Sequence, residues 1–240
     1  MSKGDPQGSN AETQGRSEDP HTEMTFEEAE QQLLGRLEAA KDDPRAAMWN
    51  LAYFYKRAGK LDRAFRYFNQ LFESVENKEP QAQILMALGQ TTEMTRDFEL
   101  AAEFYRQGLA LGPKDPFTCY YLHNNLGFSL NQLGRFDEAE PHCWQAIEIA
   151  PRRHNAYKNL GISLAGLGRH QEAAEFFVRA TQRNPWDGRA LGHLEDLLDE
   201  HPELQREFSD ALEECRRAVA KIESLQERIA AENANRKLDG

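Results

Sequence analysis

Residues that could carry catalysis or bind metal ions are few and scattered in this sequence. None of its seven histidines stands four positions from another with a third ligand nearby, and no glycine-rich loop that would cradle phosphate occurs. His142 and Cys143 are neighbours, which we interpret as a packed thiol beside a surface imidazole. We therefore expect no catalytic residue, no metal site and no cofactor, and we predict that the chain is not an enzyme.

Asparagine directly precedes leucine at three widely spaced places, Asn50, Asn125 and Asn159. A carboxamide carries a donor and an acceptor, so it can pair with one peptide unit of an extended chain whatever side chains that chain bears. A row of such asparagines would form a ladder for a peptide backbone. The other interpretation is that these residues make hydrogen bonds within the fold, and the sequence leaves both open.

The composition narrows the classes of partner. The chain has 240 residues and a net charge of -11, enough length for one large domain or two small ones. Residues 1–44 carry 4 basic and 11 acidic side chains, residues 45–187 carry 17 and 16, and residues 188–240 carry 8 and 13. Because an excess of negative charge repels phosphate, we expect no nucleic-acid partner.

Segments that would target or anchor the chain are absent from the sequence pattern. No run of about 18 apolar residues, the length that spans a bilayer, occurs. Residues 1–10 hold no apolar stretch that would serve as a signal peptide. Cys119, Cys143 and Cys215 lie far apart, which is typical of free thiols in a reducing compartment. We expect a cytoplasmic protein without membrane insertion.

An internal repeat organises the middle of the chain. Leucine followed by a small residue recurs at intervals of 37, 38 and 34 residues, and a weaker fifth unit follows after 34 more at Leu194. An alanine stands 13 residues after each of the first four leucines, and a bulky residue or cysteine stands four further on. Three units carry a glycine 8 residues after the leucine, and three close with proline. The leucines are Leu51, Leu88, Leu126 and Leu160, and the alanines are Ala64, Ala101, Ala139 and Ala173. The residues four positions after the alanines are Phe68, Tyr105, Cys143 and Phe177. The turn glycines are Gly59, Gly134 and Gly168, and the closing prolines are Pro113, Pro151 and Pro185.

This pattern predicts stacked helical hairpins. Each glycine permits the positive φ that ends a first helix, the small residues let two backbones approach, and the proline stops each unit. One hairpin cannot cover its own apolar face, so neighbours must stack. The pattern resembles the tetratricopeptide repeat family over about residues 45–187. The resemblance implies an all-α superhelical solenoid of helical hairpins and a protein or peptide ligand as partner.

Two units depart from the family pattern. The first has Ala52 in place of glycine, and the second has Thr95-Arg96-Asp97 where the turn glycine would stand. We expect residues 76–80 and 114–117 to form longer links between units, which would shift the local stacking angle.

The predicted organisation has four parts. Residues 1–24 form a disordered acidic N-terminal tail, because they contain almost nothing apolar. Residues 25–44 form an N-terminal capping helix that begins at Thr25. Four repeats follow at approximately 45–80, 82–116, 120–153 and 154–187. Residues 188–240 hold a partial fifth repeat and a long C-terminal helix.

Residues on one face of each first helix are expected to line a concave groove. This face lies beside the leucine-rich face that must form the core. Aromatic side chains there would serve as anchors, and basic ones would make the groove less acidic than the ends. The candidate partner-binding residues are Trp49, Asn50, Tyr53, Arg57, Tyr121, Asn125, Phe128, Lys158, Asn159 and Arg189.

The predicted function is a non-catalytic adaptor or scaffold that binds a partner's peptide or helix in this groove. The alternative is a self-assembling structural scaffold. From Leu204 to Ile229, apolar residues in the C-terminal helix recur at alternating intervals of four and three, as in coiled coils. That helix either pairs with a second copy, giving a homo-oligomer, or packs only as a cap.

Overall fold

The computed structural model describes residues 24–238, which form eleven α-helices and contain no strand. The side chains of residues 235–238 are not described. The helices are α1 Phe26–Ala39, α2 Arg45–Arg57, α3 Leu61–Glu73, α4 Lys78–Glu93, α5 Phe98–Ala110, α6 Pro116–Gln132, α7 Phe136–Ile149, α8 His154–Gly166, α9 His170–Arg183, α10 Arg189–Glu200 and α11 Pro202–Leu238. The predicted all-α class is confirmed over these residues.

Consecutive helices pack against each other as antiparallel hairpins that stack into a solenoid. The hairpins are α2–α3, α4–α5, α6–α7 and α8–α9, and α10 continues the stack with α11 against it. In addition, α4 contacts α6, α6 contacts α8, and α8 contacts α10. Helix α2 joins this row through a hydrogen bond from Lys56 to Gln90 of α4, so the even-numbered helices form one wall. This arrangement confirms the predicted superhelical solenoid.

The residues that define the repeat form the core. Each anchor leucine is buried, and each matching alanine has no exposed surface. Cys143 occupies the place of a buried aromatic side chain and is itself fully buried. At Gly161, an added Cβ atom would lie 2.6 Å from the ring of Phe177, so only glycine fits this helix–helix contact. The anchor leucines, the matching alanines and these small residues therefore lie at the helix–helix contacts of the core.

The turns between paired helices require a left-handed residue. Gly59, Gly134 and Gly168 have φ values of 69°, 72° and 75°, as the turn prediction requires. Arg96 stands at the matching place in the second hairpin and has φ 64°. The second hairpin therefore has the same turn geometry without glycine. Its Arg96 adopts the left-handed conformation, which costs a non-glycine residue roughly 1–2 kcal/mol.

The prediction of longer links between hairpins was wrong. Helix α4 begins at Lys78 and α6 begins at Pro116, capped by the side chains of Asn77 and Asp115. A proline in the first helical turn lacks an N–H that would be unpaired there anyway, so Pro80 and Pro116 do not delay the helix. The extra residues lengthen these first helices to 16 and 17 residues.

Helix α1 covers the N-terminal end of the stack. Thr25 and Glu28 form a capping box at its start. The ring of Phe26 stacks on Phe54 at 4.8 Å, and Tyr55 donates a hydrogen bond of 2.7 Å to Glu30. The predicted acidic tail lies outside the described residues, apart from Met24.

Helix α11 spans 37 residues, and its two halves have different surroundings. Phe208, Cys215 and Val219 are buried against α9 and α10, as expected of a cap. Leu225 and Ile229 are 41% and 46% exposed, and this half does not fold back on the repeats. Across residues 24–238, no helix combines the length and the apolar character that crossing a membrane requires.

Candidate functional site

The wall of even-numbered helices carries all ten residues predicted to line the groove, but their exposure differs. Asn50, Arg57 and Arg189 are exposed, whereas Lys158 and Asn159 are buried. The others are half-buried, namely Trp49, Tyr53, Tyr121, Asn125 and Phe128. Four of these residues lie on α2, the aromatic end, three lie on α6, and the other three lie on α8 and α10, the cationic end.

The aromatic end is built on α2. Trp49 and Tyr53 lie one helical turn apart, with ring centroids 5.2 Å from each other. Both rings meet the buried ring of Phe68 edge-on, at 5.7 and 5.5 Å, so their orientation is fixed by the core. A cavity of about 650 Å³ is lined by Trp49, Asn50, Tyr53, Phe54, Arg57 and Ala58. The structure thus brings four predicted residues around one apolar concavity.

A second cavity adjoins the same tryptophan. It measures about 590 Å³ and lies between the start of α2, the end of α3 and the start of α4. Arg45 and Glu76 supply its charges, and Val75 and Pro80 supply apolar surface. Trp49 therefore separates two concavities, and its indole is accessible from both.

Between the aromatic end and α6, a polar centre joins three hairpins through Lys56, Gln90, Glu93 and Ser129, of which sequence reasoning missed Glu93 and Ser129. Lys56 donates a hydrogen bond of 2.7 Å to Gln90, and Ser129 donates one of 3.1 Å to Glu93. Burial raises the pKa of Glu93 to about 7, against the opposing effect of its hydrogen bonds and of Lys56. Burial also lowers the pKa of Lys56 to about 8. The sequence did not predict these contacts, because the residues lie on α2, α4 and α6 and meet only when the hairpins stack.

Asn159 is held by the neighbouring hairpin. Its Nδ2 donates to the backbone oxygen and to Oδ1 of Asn124, at 3.3 and 3.2 Å. In return, Asn131 donates a hydrogen bond of 2.8 Å to the backbone oxygen of Asn159, and Ser163 donates to Asn131. This network is buried between α6 and α8, so the amide nitrogen of Asn159 serves contacts between repeats, while its Oδ1 has no partner among the described residues.

The other two asparagines stand in different settings. Asn125 is half-buried and accepts a hydrogen bond of 2.9 Å from Asn124. Asn50 is exposed at the rim of the aromatic concavity. A peptide-binding ladder of Asn50, Asn125 and Asn159 stays a prediction. The doublet Asn124-Asn125 was the available sequence signal for the network between repeats.

Tyr121 and Phe128 are both engaged in packing. Arg153 donates a hydrogen bond of 2.8 Å to the hydroxyl of Tyr121 and lies over its ring, 5.0 Å from the centroid. Phe128 meets the ring of Phe98 edge-on at 5.9 Å. Each side chain keeps a part-exposed edge on the wall, so a partner would meet a pre-ordered surface there.

The cationic end lies between α8 and α10. Lys158 is only 6% exposed, and its pKa is lowered to about 8 by burial and by Arg189, against the opposing effect of Asp187. Arg189 forms a two-point ion pair with Asp187, at 2.6 and 2.7 Å, and Asp187 also contacts His154 at 2.9 Å. Among the described residues, Lys158 Nζ has no hydrogen-bond or ion-pair partner. The stem of Lys158 is buried while its Nζ atom reaches solvent at the wall, so the ammonium is open to an anion brought by a ligand.

This geometry defines a class of protein, an α-solenoid of stacked helical hairpins with a concave wall. The profile named Tetratricopeptide repeat matches residues 44–114 and 119–184, more than half of the chain. The chain belongs to the tetratricopeptide repeat family. No curated protein matches the sequence.

Solved structures show the same architecture. A MamA RS-1 double mutant has a TM-score of 0.60 and 19% identity, covering 76% of this chain and 96% of its own. MamA 41-end from Desulfovibrio magneticus RS-1 has a TM-score of 0.58 and 18% identity, with coverage of 77% and 96%. MamA AMB-1 has a TM-score of 0.54 and 22% identity, covering 71% of this chain and 99% of its own. At these identities the likeness establishes the fold alone, while family membership supports a protein-interaction scaffold module.

Proposed function

We propose that this chain is a non-catalytic adaptor or scaffold that holds a partner protein's peptide or helix along the wall of even-numbered helices. The observation that carries the proposal is the concavity on α2, where Trp49 and Tyr53 stand pre-ordered on the core beside Asn50 and Arg57. Rigid aromatic side chains give a large contact area at a small entropy cost, which makes them effective anchors in interfaces.

The two ends of the wall indicate the chemistry of the bound segment. The α2 end offers apolar and aromatic surface, so it suits an aliphatic or aromatic side chain. The other end offers the unpaired ammonium of Lys158 near Arg189, so it suits a carboxylate. A segment with an apolar anchor and an acidic residue some distance apart would satisfy both.

The experiment is affinity recovery of partners from a lysate with matched variants. Asn50→Ala combined with Arg57→Glu alters exposed groove residues, and Arg66→Glu makes the same charge change on an exposed position of α3. We expect the groove variant to recover the partner at least about tenfold less, since hot-spot losses of that size are common in interfaces. Arg66→Glu should recover it normally. Equal recovery by all three proteins, with unchanged helicity, would refute groove binding.

We also propose self-association as a second candidate, on the evidence of the distal half of α11. Ile222 is half-buried and Leu225 and Ile229 are exposed on one stripe, with no repeat covering the last two. Sedimentation of the full chain and of a version ending at Val219 tests this candidate. A larger mass for the full chain at tens of micromolar supports pairing, whereas two monomers leave α11 as a cap.

A further inference from the structure

One pair of positions differs in the third hairpin from all the others. The two positions are the residue three before the anchor leucine and the residue three after the matching alanine. In the fourth hairpin these are Tyr157 and Phe176, whose rings stack at 6.1 Å. The first and second hairpins place apolar or aromatic residues there, Met48 with Tyr67 and Leu85 with Phe104. In the third hairpin both positions are histidine, His123 and His142.

The two imidazoles face each other through the same ring nitrogen. The Nδ1 atoms of His123 and His142 are 3.1 Å apart, with ring centroids at 5.2 Å and planes at 35°. Burial and the neighbouring His142 lower the pKa of His123 to about 4, and burial and Arg106 lower the pKa of His142. Both rings are therefore neutral near pH 7. Neutral imidazole is the form that ligates metal ions.

We propose that His123 and His142 form an open two-histidine site for a divalent metal ion of the Ni²⁺, Cu²⁺ and Zn²⁺ group. Zinc–nitrogen bonds of about 2.0–2.1 Å place two nitrogens on one tetrahedral ion roughly 3.3 Å apart, close to the observed separation. Imidazole suits these metals. Each histidine would ligate through Nδ1 and keep its proton on Nε2. This site departs from the expectation, drawn from the sequence, of no metal.

The surroundings set the character of the site. Helices α6 and α7 pack closely next to the pair. Gly127 lies one helical turn after His123, and a Cβ atom added to it would lie 2.6 Å from Sγ of Cys143, the residue that follows His142. Between residues 24 and 238, no third histidine, cysteine, aspartate or glutamate completes a ligand set. Nearby Glu138 is paired with Arg135 and Arg106. Water would fill the other positions, so the site binds more weakly than a closed structural zinc site, and Cu²⁺ binds more tightly than Ni²⁺ or Zn²⁺.

The test uses the full chain after chelation and dialysis. Zinc is titrated while long-range proton–nitrogen NMR follows every imidazole, and copper binding is followed by electron paramagnetic resonance. We expect the Nδ1 signals of His123 and His142 alone to move, with saturation at one equivalent of Zn²⁺. Bound Cu²⁺ should show hyperfine coupling to two nitrogens.

The chain provides its own replacement pair for the control. His123→Tyr with His142→Phe installs the residues of the fourth hairpin, so the double variant should fold with unchanged helicity and bind Cu²⁺ at least tenfold more weakly. His201→Gln removes one histidine elsewhere and should bind like the wild type. If the double variant fails to fold, the Cu²⁺ affinity of the single variant His142→Gln tests the proposal instead. Unchanged affinity in these variants, or Nδ1 signals that stay fixed at equimolar Zn²⁺, would show only a hydrogen-bonded pair.

Discussion

Replacing Lys158 by methionine should stabilise the protein, although it removes a charged group from the wall. The side chain is 6% exposed, and its pKa falls from the ordinary 10.5 to about 8. Since each pH unit corresponds to 1.36 kcal/mol, holding the proton on this ammonium costs about 3 kcal/mol. Methionine has a similar length and no charge to desolvate. We therefore expect Lys158→Met to raise the free energy of unfolding by roughly 2–3 kcal/mol at pH 7.

The pH dependence gives this prediction a second signature. Because the folded pKa lies below the unfolded one, the unfolded chain binds more protons between pH 8 and 10.5, and wild-type stability gains over that range as pH rises. The difference between variant and wild type should be largest below pH 8 and should vanish above 10.5. Urea unfolding of both proteins at several pH values measures it. A variant that is less stable at pH 7 would show that the ammonium has a partner in the fold.

Three further predictions concern the repeats. Arg96→Gly should stabilise the protein by roughly 0.5–1 kcal/mol in urea unfolding, because it relieves the positive φ of a non-glycine residue, and Gly168→Ala should do the reverse. Glu93→Gln should raise the free energy of unfolding by roughly 2 kcal/mol above pH 7 and leave it unchanged below pH 4. The folded pKa of Glu93, about 7, lies above the unfolded pKa, so the stability of the wild type falls as pH rises from the unfolded to the folded value. Ala139→Leu should cost about 1–3 kcal/mol at a fully buried contact, and an unchanged melting temperature would contradict the repeat alignment.

The expected groove shows where sequence reasoning succeeded and where it stopped. Helical spacing and the repeat alignment together predicted Trp49, Asn50, Tyr53 and Arg57, and these residues line one cavity. Spacing along one helix also placed Asn159 on the same wall, but its amide nitrogen donates to Asn124 of the preceding hairpin. A helical face can be read from one segment, whereas the partner of a polar group depends on how two hairpins stack.

What the sequence determined by itself is the repeat, the hairpin and the core. Burying one apolar face per helix and turning at a left-handed residue are local requirements, so they recur with the repeat and are legible at Leu126, Gly134 and Ala139. Only the tertiary structure decided which polar groups meet, such as Lys56 with Gln90 and His123 with His142. These contacts depend on the rotation and separation of packed helices, which the sum of many weak side-chain contacts sets and no single segment encodes.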